Sequence, residues 1–519
     1  MRRRLAIAVG GALVLARCGC AGDEPWGVAT VEIDSRAVTR CVQVVARALD
    51  GGKSATDPVP AQPGGTLKVA VFSGTLGDDV SVRAEGYTDP GCGNAMDEAS
   101  PWTPMELQTK APPGVPLVIR PEGSCSDGND GDNDGLVDCL DPACASAPEC
   151  SSVDPGDAGL FPYVPSNFSV DVLPHPDASV LIDCDAGYDT TATNGYFCGR
   201  TVPAATAVTM VGGSTAILLP LGPLTITDAG RLTVIGARPL IIAVVGDARI
   251  DGPLLAGADL MSPGPGGSRA SCLGNGMPGT AGVGGGAGGG GGAYGTAGAP
   301  GGLAGSASGV QGPGGAPFGA RELVPLLGGC SGGPGGESSF GCVRDGGAGG
   351  GALQLSVSGV LQVRSAIAAP GGGGQGGEMA YRCGGGGGGS GGGILLEALR
   401  LELSGAARIT ANGGGGAEGG DNAPSSSQFG QNGRIDGPYP ARGGNSLTGA
   451  AGGGDGGAGS SPPLGGESYA ASTGGAGGGG GSVGRIRINS VQGCALSGAP
   501  DLLYSPKPSS NLAGDAGCP

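Results

Sequence analysis

Three stretches of the chain can be laid one over another: LIIAVVGDARIDGPLLAGAD at 240–259, LQLSVSGVLQVRSAIAAPGG at 353–372 and ILLEALRLELSGAARITANGG at 394–414. Each reads as a strand, a turn, a second strand, another turn and a third short strand, after which glycine resumes. AILLPLGPLTITDAGRLTVIG at 216–236 precedes them as a fourth copy, and VGRIRINSVQG at 483–493 follows as a truncated fifth. A unit of roughly twenty residues cannot bury its apolar side alone, so the copies must stack. Three strands per turn predict an all-β chain whose 216–519 region is a parallel β-helix-like solenoid, with residues 161–215 as its cap. Isoleucine, leucine and valine from successive copies supply the core, and the glycine tracts leave on one side as long loops.

Those tracts dominate the composition. Of 519 residues, 118 are glycine and 41 proline, several times ordinary glycine usage. Helical bundles and coiled coils are excluded, because each glycine costs a helix about 1 kcal/mol relative to alanine. The longest tracts (Gly284–Gly292, Gly384–Gly393 and Gly474–Gly481) carry almost no hydrophobic surface. They are either flexible coil or polyproline-II-like helices packed at a distance only glycine permits. Their recurrence beside each copy favours packing. In composition the 200–490 region resembles the glycine-rich, PGRS-like repeat proteins of bacterial cell envelopes. The Pro-Glu helical domain that opens that family is absent here, so only an envelope location is implied.

The N-terminus points to export. Arg2, Arg3 and Arg4 precede an apolar run from Leu5 to Ala16, too short to span a bilayer and followed by small residues, so residues 1–22 read as a signal peptide. The stretch resembles a bacterial lipoprotein signal, which implies lipidation of Cys18 or Cys20. Sixteen cysteines less these two leave an even set, so a lipid anchor at Cys20, or cleavage after Ala21, leaves no orphan thiol. An even set in an exported chain implies disulfides. Spacing makes Cys41/Cys92, Cys125/Cys139, Cys144/Cys150, Cys184/Cys198, Cys330/Cys342 and Cys494/Cys518 the plausible pairs, without fixing connectivity.

Residues 24–120 have ordinary composition. Val28–Ile33, Cys41–Leu49, Leu67–Phe72, Val80–Ala84 and Pro116–Ile119 read as short strands between turns, predicting a small β-sandwich. It resembles an immunoglobulin-like module, although no Trp lies between Cys41 and Cys92.

Residues 121–160 form an acidic, cysteine-rich linker. Counted from Asp130, carboxylates fall at positions 1, 3, 5, 9 and 12 (Asp130, Asp132, Asp134, Asp138, Asp141) and Gly135 falls at position 6. This is the ligand spacing of an EF-hand loop, with the Leu136 carbonyl at position 7. Oxygen donors at this density suit Ca²⁺ and not zinc. The stretch resembles the calcium loops of thrombospondin type 3 repeats, and Asp141 in place of a longer glutamate implies weak, extracellular-range affinity.

The formal charge is −17, which argues against a nucleic-acid or anionic-membrane partner, since both need a basic face. Membrane contact is expected only through an anchor at Cys20. The acidity is local: residues 121–199 hold fifteen Asp and Glu and no Lys or Arg.

Catalytic signals are weak. G-x-G-x-x-G spacings arise freely in glycine tracts and lack their strand-to-helix setting. Gly329-Cys330-Ser331-Gly332-Gly333 satisfies G-x-S-x-G, but its sole candidate base, His175, lies between two prolines and precedes the serine. Asp247, Arg249 and Asp251 alternate about one strand, and Asp183, Asp185 and Asp189 surround Cys184. Either group could serve a polysaccharide lyase or hydrolase, enzymes that parallel β-helices host. The expected function is an exported structural or adhesive surface protein that engages cell-envelope or extracellular glycans. The alternative is a carbohydrate-active β-helix enzyme or a lectin.

Overall fold

A computed structural model describes residues 7–8, most of 26–119 and most of 160–510. The chain is all-β and divides into two compact units, Met1–Val164 and Pro165–Pro519. The acidic linker with Asp130, Asp132, Asp134, Leu136, Asp138 and Asp141 lies outside the described residues, as does His175.

In the first unit Trp26–Ile33 pairs antiparallel with Thr66–Phe72 and parallel with Val115–Ile119. Ile7–Ala8, inside the apolar N-terminal run, pair with Lys68 and Val69. In a second sheet Cys41–Ala48 pairs with Asp79–Tyr87, which also carries Thr103–Glu106. Alternation sends Ala29, Val31, Ile33, Val69 and Val71 from one sheet, and Val42, Val44, Val80 and Val82 from the other, into a single buried core. The Cys41–Cys92 disulfide closes this unit. Short pairings at Lys53–Ala55, Val59–Pro60 and Glu98–Ala99 carry too little alternating sequence to be read beforehand.

The second unit is built on three parallel ladders. The first joins Thr215–Leu221, Leu240–Val244, the first half of Ala352–Val363, the first half of Gly393–Leu403, and Arg485–Ser490. The second runs through Val180–Ile182, Leu224–Ile226, Ala248–Ile250, the second halves of the two long strands, and Cys494–Leu496. The third joins Asp185–Asp189, Arg231–Ile235, Leu254–Leu255, Ala366–Ala368, Arg408–Thr410 and Tyr504–Ser505. The ladders pair Leu240 with Leu353 and Leu353 with Ile394, the same alignment that the sequence copies show.

That register produces columns of like side chains. Ile217, Leu240, Leu353, Ile394 and Ile486 stack in one, and Leu219, Ile242, Leu355, Leu396 and Ile488 in the next, all fully or nearly fully buried. Burying each such side chain contributes about 1.5–3 kcal/mol. The fifth copy is not truncated: Arg485–Ser490, Cys494–Leu496 and Tyr504–Ser505 give it a strand in every ladder. Its third strand escaped the reading because a longer, proline-containing connection precedes it. At the other end Thr206–Thr209 runs antiparallel along Thr215–Leu221 and covers the edge.

The glycine tracts pack. Along 284–294, the N–H groups of Gly286, Gly289 and Gly292 donate to the carbonyls of Arg382, Gly385 and Gly388. Those of Ala287, Gly290 and Ala293 donate to Thr280, Met277 and Gly274, and those of Gly288 and Gly291 to Gly302 and Ala299. Three bonding directions recurring every third residue are the signature of a three-residue helical turn, that of polyproline II. The 384–393 and 474–484 tracts repeat the pattern. Gly385, Gly388 and Gly391 donate to Ala476, Gly479 and Ser482, while Ala476, Gly479 and Ser482 donate back to Gly286, Gly289 and Gly292. The three tracts thus bond in a closed cycle. Six segments surround 284–294: residues 274–280, 309–315, 298–302, 474–482, 382–388 and 330–336, each bonded to the next around the ring.

Such spacing leaves no room for a β-carbon. One added at Gly288 would lie 1.8 Å from the Gly477 carbonyl oxygen, and one at Gly477 would lie 1.8 Å from that of Gly452. Neither residue needs a positive φ; what each needs is the missing side chain. Buried alanines occur where there is room, as at Ala287 and Ala476.

Two disulfides tie the bundle, Cys272–Cys330 and Cys342–Cys383. They replace the Cys330/Cys342 pair expected from spacing. Adjacency in this lattice is set between segments far apart in sequence: Gly276, close to Cys272, donates to the Ser331 carbonyl. Cys184–Cys198 forms as expected. Cys494 is disulfide-bonded too, but its expected partner Cys518 lies outside the described residues.

Gly477→Ala should destabilise the second unit by about 1–3 kcal/mol or more, the usual cost of overpacking. Gly465→Ala, whose β-carbon would lie 3.4 Å from the Pro300 carbonyl oxygen, should fall within about 0.5 kcal/mol of the parent. Thermal melting of the two variants checks this, and equal effects would contradict the packing described.

Candidate functional site

Among the described residues, the carboxylates picked out by sequence are engaged in structural contacts. Asp183 accepts two hydrogen bonds from the Arg200 guanidinium, at 2.8 and 2.9 Å. That contact holds its carboxyl below the usual carboxylate range. Asp183 also lies near the sulfurs of Cys184 and Cys198, but those sulfurs are bonded to each other and are not thiolate ligands. Asp185 is 4.0 Å from Arg231, and Asp189 accepts from the Thr191 N–H in a local turn.

Asp247 and Asp251 flank the short strand Ala248–Ile250. Asp247 Oδ1 accepts from the Val360 N–H at 2.8 Å, bridging neighbouring copies where the Ala352–Val363 strand shifts register. Arg249 Nε donates to Asp251 at 2.6 Å, and Arg364 lies 4.0 Å from the same carboxylate. The outward column continues through Gln362 and Glu402, joined by a 2.9 Å hydrogen bond. Ser331 Oγ donates to Ser268 Oγ, and the Ser331 N–H donates to Asn275.

Two polar groupings escaped the sequence reading. The first centres on Glu397, which is 2% exposed. The register places Ser356, Glu397 and Asn489 side by side on the face of the first ladder that points away from the apolar columns. Glu397 accepts from Gln354 Nε2 and Ser356 Oγ at 2.8 Å, from Asn489 Nδ2 at 3.1 Å, from the Ser166 N–H, and from Ser166 Oγ. Asn167 beside it donates to Gln354 and to the Leu323 carbonyl. A carboxylate with this many donors is a structural fastening for the 166–167 segment. Its trace in the sequence is a lone glutamate within ILLEAL.

The second grouping is exposed and is the better candidate for contact with a ligand. Two asparagines build the loop that carries it. Asn432 accepts from the N–H groups of Leu260 and Gly373 and donates to Asp259. Asn412 donates to the carbonyls of Arg434 and Gly437. On this base stand Arg434, Ile435, Asp436 and Tyr439, all exposed. Arg434 pairs with Asp436 through two hydrogen bonds, Nε to Oδ1 at 2.9 Å and a second from Nη2 to Oδ2, and its guanidinium sits 5.2 Å from the centre of the Tyr439 ring. The hydrogen bonds to Arg434 hold the Asp436 carboxyl below the usual range. An aromatic ring, a fixed cation and a fixed anion are therefore presented together on an anchored loop.

No family model matches the chain, and no solved structure matches it. Lipoprotein LpqB of Nocardia farcinica (strain IFM 10152) is 38% identical to it over 80 residues, 15% of this chain and 13% of that protein. The matched stretch is thus far below two thirds of the relative's length. Among the described residues, no helix is long and apolar enough to cross a membrane.

Glu397→Leu should lower the melting temperature of the second unit by several degrees, because it strands five donors at a cost of about 2–4 kcal/mol. Glu402→Leu, on the outward column, should change stability by no more than about 0.5 kcal/mol. Calorimetric melting separates the two, and equal effects would contradict the fastening role.

Proposed function

We propose that this is an exported protein of a bacterial envelope with a structural or adhesive role, its surface contacts directed at glycans. The observation that carries the reading is the disulfide-tied glycine bundle. A body whose interior is main chain bonded to main chain, with Cys272–Cys330 and Cys342–Cys383 across it, suits an oxidising exterior and offers few extended segments to a protease. The partial likeness to a lipoprotein and the N-terminal 1–22 stretch support the same location, with an anchor at Cys20 as the proposed attachment.

In this reading the two N-terminal sheets are the halves of a β-sandwich, and the three parallel ladders are successive turns of a parallel β-helix. The glycine bundle grows from one side of it. The 121–160 linker is stiffened by Ca²⁺ held by Asp130, Asp132, Asp134, Asp138, Asp141 and the Leu136 carbonyl.

A lectin-like role is favoured by the Arg434–Tyr439 loop. The Tyr439 ring offers a flat apolar surface to the C–H face of a sugar, and Arg434 and Asp436 offer hydrogen bonds to its hydroxyls. Catalysis by Asp183, Asp247 and Asp251 is the less favoured alternative, because each carboxylate is already committed to an arginine or a backbone N–H.

Binding of the purified protein to bacterial and plant polysaccharides, with reducing ends assayed in the same samples, tests the proposal. We expect retention without reducing-end release, unchanged by Asp183→Ala, Asp247→Ala or Asp251→Ala and weakened at least tenfold by Tyr439→Ala. Calcium titrated into the same protein should give heat at submillimolar to millimolar concentrations that Asp130→Asn with Asp134→Asn removes. Sugar release abolished by the aspartate changes would overturn the non-catalytic reading.

A further inference from the structure

Charge pairing in the second unit runs opposite to burial. Six arginines (Arg200, Arg231, Arg249, Arg364, Arg400 and Arg434) reach a carboxylate within 4.0 Å, and each leaves at least 43% of its side chain exposed. Exposed pairs of this kind contribute little to stability. Arg269 and Arg485 are half-buried, and neither pairs with a carboxylate among the described residues. Taking a charge out of water without a counter-charge is the costly case.

The two guanidiniums converge on one buried ring. Tyr294, 1% exposed, ends the 284–294 tract, and its N–H donates to Ser482 Oγ at 3.0 Å. The Phe318 ring packs on it with centroids 4.8 Å apart. Arg485 opens the Arg485–Ser490 strand, with its guanidinium 5.5 Å from the centre of the Tyr294 ring. Its Nε and Nη2 donate to the Phe318 carbonyl at 3.3 and 3.0 Å, which leaves most of the guanidinium donors unused. Arg269 arrives at the same end of the first ladder. The Pro265 carbonyl accepts from the Ala352 N–H, Ala352 is in register with Gly393, and Gly393 is in register with Arg485. The main chain around Arg269 is pinned. Ser268 Oγ accepts from the Gly349 N–H and from Ser331 Oγ, both at 2.7 Å. The Cys272 N–H donates to the Arg269 carbonyl, beside the Cys272–Cys330 disulfide. The Arg269 side chain itself makes no hydrogen bond or ion pair with any described residue.

The groups around them supply no counter-ion. Burial pushes the Tyr294 hydroxyl far above the usual phenol range, although both guanidiniums are near enough to oppose the shift, so the phenol stays neutral. Arg321 and Glu322 act on Arg485 with opposite signs. Two cations are left uncompensated, in a chain whose formal charge is −17. The geometry points to an oxyanion site formed by Arg269 and Arg485, its ligand a phosphate group, either the free ion or a monoester carried on a larger molecule. A phosphate monoester bears about −1.5 to −2 charges at pH 7, a match for two guanidiniums. Its oxygens accept from the planar fork of N–H donors that each arginine presents. A carboxylate bears only half that charge. The pinned main chain at 268–272 and the packing of Arg485 on Tyr294 hold the donors in place beforehand, so little freedom is lost on binding.

Calorimetric titration of inorganic phosphate into the purified protein, in low-salt buffer at pH 7, tests this. We expect saturable heat at submillimolar phosphate, weakening as NaCl is added, and affinity for acetate at least tenfold lower. Arg269→Gln should weaken phosphate binding at least tenfold without lowering the melting temperature, because its side chain has no protein partner to lose. Arg485→Lys keeps the charge but not the planar fork, and should weaken binding by a smaller factor. Should either variant fail to fold, the other decides. Arg249→Ala, at a paired arginine of the ladder face, should leave binding unchanged. Glycerol 3-phosphate identifies the source: binding as tight as that of inorganic phosphate admits a monoester, and weaker binding restricts the site to the free ion, the site standing in both cases. Absence of heat with phosphate would overturn the proposal. So would binding that survives Arg269→Gln, binding lost equally to Arg249→Ala, or acetate bound as tightly as phosphate.

Discussion

The second unit depends on one constraint: its main chains approach so closely that a β-carbon has nowhere to go. Hydrogen bonds between glycine segments run in three directions and repeat every third residue, so each central segment is bonded on all sides. An ordinary interior gains from removing apolar side chains from water. This one has few side chains to remove. It gains from satisfying nearly every peptide group against another and from dispersion contacts at short range. Glycine pays more chain entropy on ordering than any other residue, and a lattice this complete offsets it. The neighbouring ladders, with their Ile, Leu and Val columns, supply the apolar anchor from which the segments extend. Residues 345–351 run straight into the Ala352–Val363 strand, and 474–484 into Arg485–Ser490.

This arrangement divides the labour within the unit. The ladders fix register, because a one-residue slip would turn Leu353 outward and Gln354 inward. Glu397 and its neutral donors fasten a connecting segment over one ladder. The bundle, stapled by two disulfides, presents surfaces set by its period and not by a hydrophobic core. Exposed side chains stand clear of the lattice on loops such as Arg434–Tyr439.

Much of the ladder architecture was legible. The copies beginning at Leu240, Leu353 and Ile394 align in sequence because identical inward positions must stack, and the register obeys that alignment. The five longer strands of the first unit were legible from alternation alone. The bundle was only half legible. Composition says that glycine tracts can pack, but which tract lies beside which depends on contacts nearly a hundred residues apart, as between Gly289 and Gly385. The Cys330 and Cys342 pairing was misjudged for the same reason. The polar loop was illegible: Asn412 and Asn432 look like ordinary turn residues, and only the fold shows that they hold Arg434, Asp436 and Tyr439 in place.

The central claim is that the glycine tracts are ordered by main-chain hydrogen bonds. Amide hydrogen exchange, resolved by NMR for the glycines of 284–294, 384–393 and 474–484, tests it most directly. The account predicts protection comparable to that of Leu355 and Leu396 in the ladders, with exchange slowed by several orders of magnitude relative to free chain. Exchange of those glycines at free-chain rates, while the ladder amides remain protected, would contradict it.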